Sequence, residues 1–276
     1  MLNPSPSIAA WFGYPIEQED RLRLIKAAGF KGVMLWWATE SAFEPPIPQK
    51  CDNARRLGLE IVNAHLEYRP INAVWEEGYR GEHYATELLG LVTEAGMYGV
   101  PTLVVHLTEG FAPPPISDVG LDRFRRIIDA ADRANVKLAF ENLKAYKRLY
   151  EFMPLIDAPH VGVCFDAGHN HAHCPDVRVC RDFKDRIFAV HLHDNYGVLD
   201  DHLMPLDGND DWARVRSEII DSSYTGPWSL EIEHPVSDAF GKKLPENDPY
   251  FGLSAEEYLD RAFTAHRKLI EGNWDK

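Results

Sequence analysis

Eight short apolar runs alternate with eight longer amphipathic stretches along the 276 residues. Few folds accommodate that rhythm. The apolar runs lie at 7–13, 31–37, 59–65, 101–106, 136–142, 161–169, 186–195 and 226–233. The helical stretches lie at 16–30, 49–58, 81–99, 117–135, 147–157, 175–185, 210–223 and 254–272. Leu22, Leu24, Ile25 and Ala28 share one face of the first helix, which stops at Gly29; the second closes on Gly58 and the last opens on Ser254 with Glu257, a capping-box pair. Several strands are unbroken apolar runs (VMLWW, LVV, IFAV), as a parallel sheet buried on both faces demands. Eight such units in about 250 residues predict a single (β/α)8 TIM barrel of the α/β class. A doubly wound open sheet is the alternative, but no G-x-G-x-x-G follows the first strand, so no nucleotide cofactor is expected. No linker or composition shift divides residues 1–276, and 111–117 (FAPPPIS) reads as a loop.

The ends of these runs carry chemistry. The third ends at His65, the fourth at His106, the fifth at Glu141, the sixth at Asp166, the seventh at His191 and the eighth at Glu231. In a barrel the carboxyl ends of all strands share one face, where catalytic residues collect. Burying several carboxylates and imidazoles together costs free energy unless something pairs them. A divalent cation does so. Mixed imidazole nitrogen and carboxylate oxygen suits Zn²⁺, Mn²⁺, Co²⁺ or Fe²⁺ better than Ca²⁺.

The stretch CFDAGHNHAHCP, 164–175, packs two cysteines, three histidines and an aspartate. It lacks zinc-finger spacing to a second ligand pair, so it reads as the exit of the sixth strand and its loop. Asp166 and His169 are its site candidates. Cys164 shares the facing of Asp166 one step deeper and reads as core filling; His171, His173 and Cys174 fall in the loop, the two histidines within reach of substrate.

A net charge of −14 argues against a nucleic-acid or acidic-membrane partner, which needs clustered Lys and Arg. The four cysteines form no C-x-x-C pair and suggest reduced thiols in a cytoplasm. No signal-peptide pattern opens the chain and no run of about 18 apolar residues occurs, so no membrane span is expected.

The motifs FENL (140–143), FDAGH (165–169), VHLHDN (190–195), DDHLMPLDG (200–208) and GPWSLEIE (226–233) resemble, in order and spacing, the xylose isomerase-like TIM barrel superfamily. That superfamily includes sugar and sugar-phosphate isomerases and epimerases, hydroxypyruvate isomerase, inosose dehydratase and endonuclease IV-like repair enzymes. The resemblance implies a metal held by Glu141, Asp166, His191 and Glu231. It also implies further metal ligands of the nuclease-like members at His65, His106, His169, Asp200 and His202. Three features depart from the nuclease pattern: the segment from His191 to His202 is shorter, His193 stands where asparagine is usual, and Leu-Thr follows His106 where Pro-Gly is usual.

The function expected is a metal-dependent isomerase or epimerase of a small keto- or aldo-sugar, or related polyol. The metal, Mn, Zn, Co or Mg, would act beside the carbonyl. Glu141 and Glu231 would be both ligands and bases. His169, His65, His106 and Trp36 would contact substrate, with Trp11, Trp37 and Phe111 lining the pocket, and Glu233 shares the facing of Glu231. The alternatives are an endonuclease IV-like phosphodiesterase with several metals and a dehydratase of a keto-polyol. A small carbohydrate is the expected partner, a homo-oligomer a possible assembly.

Overall fold

The computed structural model describes residues 4–38, 43–234 and 248–274. Eight parallel strands close into one barrel: β1 (Pro6–Ala9), β2 (Gly32–Trp37), β3 (Glu60–Leu66), β4 (Thr102–Val105), β5 (Lys137–Glu141), β6 (Val161–Asp166), β7 (Ile187–Leu192) and β8 (Trp228–Leu230). Each pairs with the next, and β8 pairs with β1. The helices are α1 (Gln18–Ala28), α2 (Ile47–Arg56), α3 (Tyr79–Met97), α4 (Asp118–Ala134), α5 (Lys147–Phe152), α6 (Ala167–His173), α7 (Val179–Asp182), α8 (Trp212–Ile220) and α9 (Ala255–Glu271). This is the (β/α)8 barrel that the alternation predicts. No helix among the described residues is long and apolar enough to cross a membrane. All four cysteines are unpaired and buried.

Local chemistry sets the element ends. α9 opens on the Ser254–Glu257 capping box. Ser117 caps α4 by accepting from the Gly120 amide, and α4 stops on Asn135 in the left-handed region. The first strand is shorter than 7–13. Residues beyond Ala9 turn towards the end of β8, where the His234 amide donates to the Phe12 carbonyl at 3.0 Å. Gly13, at φ 91°, lies so close to His234 that a Cβ would meet its amide nitrogen at 2.5 Å. The stretch after Asp166 is a helix, α6, where the sequence suggests a loop. Asp166 ends β6 and also caps α6, accepting from the His169 amide at 2.6 Å. α7 is only a remnant of 175–185, because Asn170 Nδ2 ties the carbonyls of Cys174 and Val177 (2.7 and 3.1 Å) into an irregular turn.

Strand alternation splits the buried residues into two sets. Ile8, Val33, Leu35, Phe140, Phe165 and Leu230 face the helices in the main core. Val104, Ala139, Cys164 and Ala189 form a separate apolar layer inside the barrel. Each of the four lies two residues before His106, Glu141, Asp166 or His191. The inward strand residues are thus small below and polar at the carboxyl-terminal mouth, and Cys164 is core filling as its spacing suggests.

One buried histidine serves stability alone. His266 in α9 donates from Nε2 to the Trp228 carbonyl at 2.9 Å, and burial lowers its pKa to about 4. The unfolded chain takes up a proton near pH 6.5, but the folded chain resists until about pH 4. Stability attributable to His266 is therefore complete above pH 6.5 and falls by about 3 kcal/mol as pH drops to 4. Urea unfolding across that window should show the slope, and His266→Gln should flatten it. An unchanged slope in the variant would refute the assignment.

Candidate metal centre

The polar mouth is built where strands end. His191 occupies its centre. Its Nδ1 donates to Glu141 Oε1 at 2.9 Å and lies 2.8 Å from Glu231 Oε2 and 4.0 Å from Asp166 Oδ2. All four side chains are buried. Candidate ligand atoms of Glu141, Asp166, His191 and Glu231 lie within 4.8 Å of one another. Glu231 comes from the residue after β8, because that strand closes at Leu230.

Three carboxylates around one imidazole nitrogen make an anionic well. Burial opposes charge on His191, but Cys164, Glu231 and Glu141 outweigh it and push its pKa well above the ordinary histidine value. Burial alone would raise the glutamates. Instead the imidazoles of His106, His191 and His65 hold Glu141 well below its usual range, and His191 brings Glu231 down to about 2. The folded site stabilises its carboxylates as anions and needs positive charge between them. Asp166 Oδ2 and His191 Nε2 are buried without hydrogen-bond partners. A divalent cation fits this donor set.

A second group adjoins the first through Glu141. His106 Nε2 is 2.9 Å and His65 Nε2 3.4 Å from Glu141 Oε2. The His65 Nδ1–H donates to the Leu66 carbonyl at 2.9 Å, which leaves the Nε2 lone pair facing inward. A third group adjoins through Asp166. His169 Nε2 is 3.0 Å from Asp200 Oδ2, and His202 Nε2 is 3.5 Å from Asp200 Oδ1. His193 belongs to this group, with Nε2 3.1 Å from Asp166 Oδ1. Burial opposes charge on Asp200, but His169 and His202 hold its carboxyl far below the ordinary value.

All the metal-capable residues singled out in the sequence thus converge. Trp36 also faces the mouth, stacked on His65 with centroids 5.2 Å apart, and Trp11 meets it edge-on at 5.6 Å. Phe111 sits exposed at the rim, edge-on to His173. Glu233 is exposed above Glu231. Trp37 does not line the pocket. Adjacent strand residues point to opposite faces, so Trp37 packs wholly buried against the helices and donates from Nε1 to the Leu91 carbonyl at 3.1 Å. His171 is taken up by Asn209 and Asp210 (2.7 and 3.4 Å), which pins α6 to the following loop.

Four neighbours escape a strand-end reading. His193 lies two positions beyond His191 and shares its facing by period two. Tyr68 stacks on His106 at 4.2 Å from a loop. Asn142 and Asp166 are locked by reciprocal 2.8 Å bonds: Nδ2 to the Asp166 carbonyl and the Asp166 amide to Oδ1. Asp194 is wholly buried and accepts from the amides of Asn195, Leu206 and Asp210 and from Trp212 Nε1, which shapes the loop bearing Asp200 and His202.

Comparison with known proteins agrees with this architecture. The uncharacterized protein y4fM of Sinorhizobium fredii is 32% identical over 194 residues, 64% of this chain and 57% of that protein. The chain thus spans little more than half the length of that relative. D-psicose 3-epimerase of Clostridium cellulolyticum H10, solved with D-tagatose, superposes with a TM-score of 0.75 at 13% identity, covering 98% of this chain and 99% of that one. The IolI protein with a bound zinc atom superposes at 0.74 and 17% identity, covering 99% and 100%. At such identities the likeness is one of fold. Residues 22–251 match the sequence profile of one family, and the chain belongs to it: the xylose isomerase-like TIM barrel family.

Proposed function

We propose that this chain is a divalent-metal-dependent isomerase or epimerase of a small keto- or aldo-sugar or related polyol. One observation carries the reading: Glu141 and Glu231 approach the same His191 nitrogen, at 2.9 and 2.8 Å, on the floor of a mouth walled by aromatic and imidazole rings. The names of fold neighbours support it, since several are sugar 3-epimerases.

Glu141, Asp166, His191 and Glu231 would hold the ion, which when bound supplies Lewis-acid polarisation of a carbonyl and acidifies the adjacent C–H. Glu141 and Glu231 are ionised at neutral pH, the state in which a carboxylate accepts a proton. One removes the carbon-bound proton; the other, once it has taken a proton from water, delivers it to the product, and the first then returns its proton to solvent. Asn142 positions Asp166. Trp36 and Tyr68 present flat apolar faces to sugar C–H groups, and His65, His106 and His169 reach substrate oxygens.

A second reading, phosphodiester hydrolysis with several metals, draws on the His65–His106–Glu141 group. One experiment separates the two. Chain loaded with Mn, Co, Mg or Zn is incubated in D₂O with ketopentoses, ketohexoses and cyclic polyols and followed by NMR. The sugar reading expects metal-dependent conversion with deuterium at the reacting carbon. No conversion of any sugar or polyol, with cleavage of abasic-site DNA by the same protein, would replace it with the hydrolytic reading. Loss of water in place of isomerisation would mark the dehydratase variant.

A further inference from the structure

We infer that Lys50 is a positioning residue: from α2 it holds the exit of β2, and with it sets the Trp36 ring in place at the mouth. Nothing in the proposed reaction uses Lys50, and its burial calls for a reason. The side chain is wholly buried, where an ammonium is costly unless it is paired and hydrogen-bonded. Burial pulls its pKa down, and Glu44 opposes the fall.

The reason lies in the backbone of β2. Successive carbonyls of a strand turn to alternate neighbours. The Met34 carbonyl turns to the β1 side and accepts from the Ala10 amide at 3.0 Å. The Trp37 carbonyl turns to the β3 side and accepts from the Glu67 amide at 3.3 Å. The Trp36 carbonyl, two residues beyond Met34, therefore faces the β1 side. But β1 ends at Ala9, and the chain beyond it turns towards the end of β8. Lys50 Nζ takes the place of the missing rung, donating to the Trp36 carbonyl at 2.7 Å. The Ala38 carbonyl lies 3.5 Å from the same nitrogen, so one ammonium gathers two carbonyls where the strand gives out.

Lys50 is itself held. Glu44 Oε2 is 3.2 Å from Nζ, and Glu44 Oε1 accepts from Arg21 of α1. The side chains of Arg21 and Glu44 are both buried. Arg21 also donates to the Phe43 carbonyl at 3.2 Å. Charged groups from α1, from α2 and from the residues just before α2 thus converge behind one strand exit.

The Trp36 ring is what this anchor carries. It stacks on His65 with centroids 5.2 Å apart, and Trp11 and Tyr68 meet it edge-on at 5.6 and 6.1 Å. Freeing the Trp36 carbonyl would let the ring slip within that frame. The use of the ring by substrate rests on the sugar reading above; the anchoring of the ring does not.

The anchor is therefore tested first without substrate. The fluorescence of Trp36 is taken as the difference between full-length chain and Trp36→Phe, with and without Lys50→Met. Methionine keeps the length of the stem and donates no hydrogen bond. Acrylamide quenching of that difference should rise about twofold in Lys50→Met as the ring loosens. Unchanged quenching would overturn the proposal, whatever the chain acts on. If Lys50→Met does not fold, Glu44→Gln deprives Lys50 of its ion pair, and unchanged quenching there overturns the proposal equally. Calorimetry with D-tagatose on manganese-loaded chain supplies the second arm. Kd should rise about three- to tenfold in Lys50→Met, the scale of one displaced aromatic contact. The same substitution made in Trp36→Ala should cost no further affinity, since no ring is left to place. An equal loss in both backgrounds would show a merely structural lysine and overturn the proposal. Wild-type chain that binds no ketose would sink the sugar reading, while the quenching result would still decide the role of Lys50.

Discussion

Glu141→Gln is expected to lower turnover by about 10³–10⁴-fold, with solvent deuterium incorporation falling in step. The amide keeps the shape and removes the charge. Glu141 meets three imidazoles, His191 at 2.9 Å, His106 at 2.9 Å and His65 at 3.4 Å, so the change also leaves the cation quartet one anion short. Ion affinity should drop alongside turnover, and the two losses are separable by assaying at saturating metal. Glu231→Gln should behave alike, because Glu231 meets the same His191 nitrogen. Retained exchange into substrate by Glu141→Gln at saturating metal would sink the assignment of Glu141 as a base.

The largest loss of stability is expected from Asp194→Ala. Asp194 is wholly buried and accepts four hydrogen bonds: Asn195 amide at 2.9 Å, Leu206 amide at 3.0 Å, Asp210 amide at 3.2 Å and Trp212 Nε1 at 2.7 Å. Its backbone also pairs with Leu203 in both directions. Alanine leaves these donors unmet in a site where water cannot reach all of them. Such losses sum to about 3–5 kcal/mol, or a fall of about 10 °C in Tm for a domain of this size. Asp194→Asn keeps one acceptor oxygen and should lose less. An alanine variant melting with the wild type would show that the loop is held by other contacts.

Much of this structure is legible in the chain because parallel strands announce themselves. A strand buried on both faces reads as an apolar run, and the first polar residue beyond it marks the mouth. That rule finds His65, His106, Glu141, Asp166, His191 and Glu231 together. It fails where one residue answers to two patterns. Asp166 ends a strand and caps a helix, and AGHNHAH offers no apolar period by which α6 would show. The Trp36–Trp37 doublet carries no sign of which ring faces inward, since that depends on register. His193 is reachable by period two from His191, but there the strand has already given way to loop. Asp194 looks like an ordinary loop aspartate, because its four donors come from up to 18 positions away.

The small apolar layer of Val104, Ala139, Cys164 and Ala189 makes the barrel a blind-ended well. With that layer beneath it, the polar chamber faces the carboxyl-terminal ends of the strands. Under the proposed function a sugar enters and leaves by that mouth, so a spent molecule bars the next until it is gone, and an ion held by the quartet would lie beneath it. Passage through the proposed site would therefore be a queue, set by four side chains that lie beneath the polar mouth.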